Sequence, residues 1–216
     1  MKNLLNNSIF TNNISNMKIV SFDSDNNEYL INEAHSIYSN PAINFDDVMK
    51  EHMRSLDIND RSLKSVDSII FSEKLNKFFL IEFKNGKIEV PEPMQSRSSS
   101  TKKMNRLKRQ NAKLKLELIR TKVKDSITAC SEIFAQNPEF FRKNCYFILV
   151  YNEQRNSSIM PDGLDNPGFN SLVESLSQLS QTSFHHFGMG VLEKMCVDEV
   201  RTFTPSQFEN FITNNA

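Results

Sequence analysis

Two acidic residues and one lysine stand on neighbouring apolar stretches of the chain. Asp67 begins the run DSIIF, and Glu82 and Lys84 close the run FFLIEFK. A charged side chain on a buried strand is costly unless it is paired or holds a metal ion. Two adjacent carboxylates repel each other unless a cation lies between them, and Mg²⁺ or Mn²⁺ suits such a pair because both ions prefer oxygen ligands.

A lysine beside a carboxylate pair adds a group that phosphodiester hydrolysis needs. Lys84 can orient or deprotonate the attacking water, with its pKa lowered by burial and by the metal ion, and can offset charge on the phosphate. These residues therefore predict a hydrolytic site in which Asp67 and Glu82 bind Mg²⁺ (or Mn²⁺). The alternative is a solvated ion pair of Glu82 and Lys84 at a sheet edge, which contributes little.

A β-hairpin is the element that must bring these side chains together. Residues 64–71 and 77–84 are rich in Ile, Phe and Val and are joined by SEKLN, which predicts two strands and a turn. If the hairpin is symmetric, Phe71 pairs with Phe78 and Asp67 lies opposite Glu82, while Lys84 shares the face of Glu82. The apolar residues do not alternate with polar ones, so we expect both faces of the hairpin to be covered.

Hydrophobic periodicity and capping signals predict the remaining elements. In chain order these are short strands at 17–22 and 28–31, helices at 45–56 and 102–136, a buried strand at 145–151, a helix at 169–180, a strand pair at 188–195 and 199–204, and a C-terminal helix capped by Thr204. With 216 residues the chain suffices for one sizeable core. The order of elements predicts a single α/β domain with a mixed sheet.

One segment of the chain is strongly basic. Residues 97–125 hold eleven Lys or Arg and two acids, which leaves 15 basic and 24 acidic residues for the remainder. A cationic helix on an otherwise acidic protein is typical of an element that contacts a polyanion. The nucleic-acid-binding residues predicted from this segment are Lys102, Lys103, Arg106, Lys108, Arg109 and Lys113.

The same segment also carries an apolar heptad. Met104, Leu107, Asn111, Leu114 and Leu118 fit the a and d positions of a coiled coil, which predicts a homodimer as the alternative role. The two roles are compatible, because a palindromic duplex favours a two-fold symmetric protein.

The hairpin residues and their surroundings resemble the PD-(D/E)xK superfamily of restriction-endonuclease-like nucleases. Asp67, then Glu82-Phe83-Lys84 on the next strand, a long helix and a buried strand match the family pattern over about residues 45–152, with Val66 where the proline would stand. The resemblance implies a restriction-endonuclease-like mixed β-sheet core flanked by helices, including the long basic helix. Residues 1–40 would then be an N-terminal extension and 153–216 helix and strand additions.

The resemblance also implies roles for individual residues. Asp67 and Glu82 would bind Mg²⁺, Lys84 would assist the water, and an acidic residue on the upstream helix would join them. By position Glu51 matches that last role best, and the alternatives are Glu33, Asp46 and Asp47.

Together these observations predict a Mg²⁺-dependent nuclease acting on DNA, or else a catalytically silent nucleic-acid-binding or assembly module of the same fold. No run of residues approaches the roughly 18 apolar residues of a membrane span, and the N-terminus has no secretory pattern, so we expect a cytoplasmic protein without a membrane partner. The three cysteines lack a CxxC spacing, which predicts free thiols and neither a zinc site nor a disulfide.

Overall fold

A six-stranded mixed sheet lies at the centre of the molecule, with helices on both of its faces. A computed structural model of the chain describes residues 1–24, 26–58, 63–89, 99–156 and 187–215, with 99–105 as backbone only. In chain order the strands are β1 (Ile14–Asn16), β2 (Phe22–Asp23), β3 (Glu28–Tyr29), β4 (Pro41–Asn44), β5 (Ser68–Ser72), β6 (Lys77–Lys84), β7 (Cys145–Tyr151) and β8 (Glu199–Phe203). The helices are α1 (Ser8–Thr11), α2 (Met17–Val20), α3 (Phe45–Ser55), α4 (Ser99–Phe134), α5 (Pro138–Asn144) and α6 (Pro205–Asn215), with 3-10 helices at Lys2–Asn6 and Met189–Leu192.

The strand order in the main sheet is β1-β4-β5-β6-β7-β8. Strands β1, β4, β5 and β6 pair antiparallel in succession, whereas β7 runs parallel to β6 and β8 runs parallel to β7. The long helix α4 and the short α5 make the crossover from β6 to β7, because a parallel neighbour needs a connection that returns along the sheet. The predicted mixed α/β architecture is confirmed.

The register of the central hairpin is the predicted one. Phe71 pairs with Phe78 in the antiparallel ladder of β5 and β6, and Ser68 pairs with Ile81. The first strand nevertheless begins later than residue 64. The backbone N–H of Val66 donates to Ser126 Oγ at 2.9 Å, so helix α4 takes an amide that the ladder would otherwise use.

Both faces of the hairpin are covered, as its unbroken apolar runs predict. On one face Leu80 packs in a core with residues of α3 and α4, among them Val123. On the other face Ile81 packs with residues of α2 and α6, among them Phe208. Glu82, between Ile81 and Phe83 on β6, is therefore held inside a layered core.

Three helices begin with a side chain that caps their first turn. Asn44 accepts a hydrogen bond from the Asp47 N–H at the start of α3, and Thr204 forms a reciprocal pair with Gln207 at the start of α6. Asn16 caps α2 by accepting from the Ile19 N–H at 3.0 Å. This last cap explains why the strand predicted at 17–22 is wrong over Met17–Val20, since a side-chain acceptor there favours a helical turn.

The strand predicted at 188–195 is also wrong. Residues Met189–Leu192 form a 3-10 helix, and left-handed φ values of 67° at Gly188 and 60° at Lys194 turn the chain on either side of it. Only the second member of the predicted pair is a strand, and β8 pairs with β7 instead. The helix predicted at 169–180 lies outside the described residues.

Helix α4 comprises 36 residues, which corresponds to about 54 Å at 1.5 Å per residue. Its second half is anchored on the sheet by the buried side chains of Ile119, Val123, Ile127 and Cys130. Its first half exposes Leu107 and Leu114. None of the described helices is long and apolar enough to cross a lipid bilayer.

Candidate functional site

Two carboxylates and two ammonium groups meet beside the carboxyl end of β6. Lys122 of helix α4 places its Nζ 2.8 Å from Glu82 Oε1, 3.0 Å from Glu82 Oε2 and 3.3 Å from Asp67 Oδ1. Lys84 Nζ lies 2.8 Å from the same Glu82 Oε1. The three residues predicted from the hairpin are thus brought together, and a fourth residue joins them.

The backbone of the hairpin holds Asp67 in place. Its N–H donates to the carbonyl of Ile81 at 3.0 Å, which continues the ladder one residue beyond β5. Its carboxylate Oδ2 accepts the N–H of Phe83 at 2.6 Å. With backbone contacts on both sides, Asp67 has a fixed position opposite Glu82, and its side chain is 18% exposed.

Glu82 is fully buried and lies on a central strand. Its side chain is 0% exposed, and β6 has β5 on one side and β7 on the other. The alternative of a solvated Glu82–Lys84 pair at a sheet edge is therefore wrong. A buried carboxylate requires partners to offset its desolvation, and Lys84 and Lys122 supply them.

Lys122 was not predicted as a site residue. The sequence places it in the basic segment, yet it directly precedes Val123 on the apolar stripe that crosses the sheet. A lysine beside that stripe, in the half of the helix that is anchored on the sheet, is the signal that could have identified it. Its side chain is 23% exposed, whereas Lys108, Lys113 and Lys115 earlier on α4 are exposed.

The cluster shifts the pKa values of Asp67 and of the two lysines. Burial, and then the neighbouring Glu82 carboxylate, raise the pKa of Asp67 from 3.8 to about 7, although Lys122, Lys84 and the Phe83 N–H act against the rise. Burial is the largest single influence on Lys84 and lowers its pKa, but Glu82 and Asp67 together outweigh it, so the net pKa lies above the ordinary value. The pKa of Lys122 is raised in the same way, by the two carboxylates against the effect of burial. The predicted lowering of the Lys84 pKa is therefore wrong for the site without a metal ion, and both lysines are cationic at neutral pH.

The raised pKa of Asp67 predicts a pH-dependent stability. Between its unfolded value of 3.8 and its folded value of about 7, the folded protein binds the proton more tightly, so stability falls as pH rises through that window. Asp67→Asn removes this titration. We expect the variant to gain stability relative to the wild type by about 1.4 kcal/mol per pH unit between about pH 4 and 7, and to hold that gain at higher pH.

Urea unfolding of both proteins at pH 4 to 9 in EDTA measures this difference. A difference that is constant over the whole range would contradict the raised pKa of Asp67.

The acidic residues that the resemblance offers upstream of the hairpin make different contacts. Glu51 accepts a hydrogen bond from Asn13 Nδ2 at 2.9 Å and has no described contact with the carboxylate pair. Asp46, in the first turn of α3, is bonded by Ser65 Oγ and is close enough to Lys122 to raise its pKa. A step of five positions along the helix from Asp46 to Glu51 is a rotation of about 140°, so the two carboxylates face different directions. Glu33 pairs with Lys18 at the surface, and Asp47 pairs with Lys50 there.

The donor atoms of the pair suit a hard divalent cation. Three carboxylate oxygens already converge on one cationic group, the Lys122 ammonium. Among the described residues no group of three or more His, Cys, Asp or Glu could hold a metal ion. Two carboxylates are nevertheless a sufficient protein contribution for Mg²⁺, which commonly keeps several waters and binds substrate phosphate.

The basic half of α4 leads away from this cluster. Lys108, Lys115 and Lys122 recur every seven residues, so they form one row along about 21 Å of helix and spread over about 40° of its circumference. Of the predicted nucleic-acid contacts, Arg106, Lys108 and Lys113 are exposed and Arg109 is half-buried. The side chains of Lys102 and Lys103 lie outside the described part of the chain.

The three cysteines are free thiols, as their spacing in the sequence predicts. Cys130 and Cys145 are buried and Cys196 is partly exposed, and all three are unpaired.

No protein-family model, curated protein or solved structure matches this chain. Any function for it must therefore be argued from the side chains themselves.

Proposed function

We propose that this chain is a Mg²⁺-dependent nuclease that hydrolyses phosphodiester bonds in DNA. The observation that carries the proposal is the convergence of three carboxylate oxygens of Asp67 and Glu82 on one cationic position, with Lys84 beside it. Ion pairs with a purely structural role also perturb pKa values inside proteins. A functional site is favoured here because the charges come from separate parts of the fold and meet at the end of a strand, beside a basic helix.

Asp67 and Glu82 would hold the metal ion, which supplies an activated water and polarises the phosphate. Asp67 is fixed by the backbone of Phe83, and Glu82 by its buried strand, so neither needs to reorganise before it binds a cation. Lys84 is 35% exposed and protonated, so it donates hydrogen bonds to the scissile phosphate or to the attacking water and is not the base.

The arrangement of elements also supports a restriction-endonuclease-like core. Helix α3 precedes the antiparallel pair of β5 and β6, and α4 then leads to β7, which lies parallel to β6. The resemblance implies this order, and the acidic pair lies on the hairpin that the family uses.

The sugar-phosphate backbone of the substrate would lie along helix α4. The row of exposed Lys108 and Lys115 leads along the helix to Lys122 at the carboxylate pair, so a strand bound along this row would reach the site. Lysines and arginines bind phosphate without regard to base sequence and release counterions when they do so.

Replacing Arg106, Lys108, Lys113 and Lys115 by Ala is expected to weaken DNA binding about equally on all sequences. The slope of log affinity against log salt should flatten by about 0.9 for each duplex phosphate contact that is lost. Filter binding at several salt concentrations measures both quantities.

The matched control for this experiment removes the same charge from exposed positions on other elements. These positions are Lys2, Lys50, Lys74 and Lys143. An unchanged salt slope in the α4 variant, or equal flattening of the slope in both variants, would show that the substrate backbone does not lie along α4.

The exposed leucines of α4 support dimerisation as a second use of the same helix. Leu107, Leu114 and Leu118 are 59%, 64% and 53% exposed and follow a heptad. Sedimentation of Leu107→Asp and Leu114→Asp tests this role, because a coiled-coil dimer would become a monomer whereas a monomeric wild type would be unaffected.

The cleavage experiment uses purified protein with supercoiled plasmid and with labelled single-stranded, duplex and branched oligonucleotides. We expect products in Mg²⁺ or Mn²⁺ and none in EDTA. Salt-sensitive binding without cleavage under any metal condition would instead support a catalytically silent module. The specific observation in favour of that alternative is Lys122, whose ammonium already contacts both carboxylates without a metal ion.

A further inference from the structure

The Lys122 ammonium lies where a metal ion bound to the carboxylate pair would lie. Its Nζ contacts both oxygens of Glu82 and one oxygen of Asp67, at 2.8 to 3.3 Å. A Mg²⁺ ion binds carboxylate oxygens at about 2.0–2.1 Å. The ion and the ammonium cannot share the same three oxygens, because two cations would then stand almost in contact and repel each other.

The helix backbone that carries Lys122 is firmly anchored. Ser126 Oγ accepts the N–H of Val66 at 2.9 Å, Asp125 Oδ2 accepts the N–H of Lys64 at 2.9 Å, and Val123 is 0% exposed. Displacement of the ammonium must therefore occur by rotation of the lysine side chain and not by movement of α4.

We propose that Lys122 is an internal cation that a divalent metal ion must displace from Asp67 and Glu82. The inference rests on the proposed function for the location of the metal ion. Together with Lys84, Lys122 offsets the charge of the buried carboxylates when no metal is present, and it lowers the affinity of the pair for metal by competing for the same oxygens.

The displaced ammonium has a second acceptor close by. Asp46 in the first turn of α3 acts electrostatically on Lys122, and the Lys122 side chain is 23% exposed, so its flexible stem can move toward Asp46 or toward a substrate phosphate.

The test compares Lys122→Met with Lys124→Met. Methionine keeps the unbranched stem and removes the charge, and Lys124 lies two residues away on the same helix with its side chain 49% exposed. Calorimetric titration with MnCl₂ is expected to give at least about tenfold tighter binding for Lys122→Met than for the wild type, since the competing charge is gone. Lys124→Met should bind Mn²⁺ as the wild type does.

Thermal melting provides a readout independent of activity. In EDTA, Lys122→Met should melt several degrees below the wild type, because the carboxylates lose a partner. Mn²⁺ should raise its melting temperature by more than it raises that of the wild type.

Adding Glu82→Gln to Lys122→Met should abolish the gain in Mn²⁺ affinity, which would show that the gain arises at the carboxylate pair. If Lys122→Met does not fold, Lys122→Gln replaces it.

Equal or weaker Mn²⁺ binding by the folded Lys122 variant, no binding by either protein, or a gain that survives Glu82→Gln would overturn the inference. Tighter Mn²⁺ binding by Lys122→Met without cleavage of any nucleic acid would leave the inference standing and remove the nuclease proposal. Mg²⁺-dependent cleavage by the wild type, together with unchanged metal affinity in Lys122→Met, would support the nuclease proposal and remove the inference about Lys122.

Discussion

Glu82→Gln is expected to lower Mg²⁺-dependent cleavage at least about a hundredfold, since loss of groups that only support a metal ligand already costs 10–100-fold. Glutamine preserves the shape of the side chain and one oxygen acceptor, but it removes the negative charge that would hold the cation. The residue is fully buried on a central strand, so its carboxylate has a fixed position beside Asp67.

The control is Glu117→Gln, the same substitution at a side chain on α4 that is 51% exposed and paired with Arg120. Rates are measured under single-turnover conditions on proteins purified in parallel, which also detects any contaminating nuclease. Cleavage by Glu82→Gln at the wild-type rate would exclude this carboxylate from the reaction.

Glu82→Ala is expected to destabilise the folded protein by about 3–5 kcal/mol, the usual cost of breaking a buried ion pair. Two ammonium groups contact Glu82 Oε1, each at 2.8 Å, and both would lose their main partner. Glu117→Ala removes an exposed ion pair and is expected to cost less than about 1 kcal/mol.

A double-mutant cycle identifies the cause of this loss. Glu82→Ala combined with Lys122→Met should be more stable than the sum of the two single changes predicts, by about 1–3 kcal/mol, because the second change removes the unpaired charge. Urea unfolding at pH 8 in EDTA measures all four proteins. Additive losses, or a cost for Glu82→Ala no larger than that for Glu117→Ala, would contradict the described network.

The hairpin could be predicted because its information is local. A four-residue turn at 73–76 between two apolar runs sets the pairing of Phe71 with Phe78, and the two-residue period of a strand then sets which charges share a face. Asp67 and Glu82 follow from that count alone.

The contribution of the helices could not be predicted in the same way. Whether Lys122 or another basic residue of α4 meets the pair depends on the rotation of the helix about its axis, which the contacts of Ser126 and Asp125 with residues 64–66 set. The choice between Glu51 and Asp46 depends on helix rotation in the same way, since the two differ in the face of α3 that they occupy. The strands predicted at 17–22 and 188–195 failed because a side-chain cap and left-handed residues override apolar composition.

Anomalous diffraction from crystals grown with Mn²⁺ tests the proposed metal site most directly. A peak about 2.1 Å from carboxylate oxygens of Asp67 and Glu82, with Lys122 Nζ moved away from them, is the predicted result. Lys122 Nζ still in contact with both carboxylates, without a peak between them at millimolar Mn²⁺, would contradict a metal-dependent active site on this hairpin.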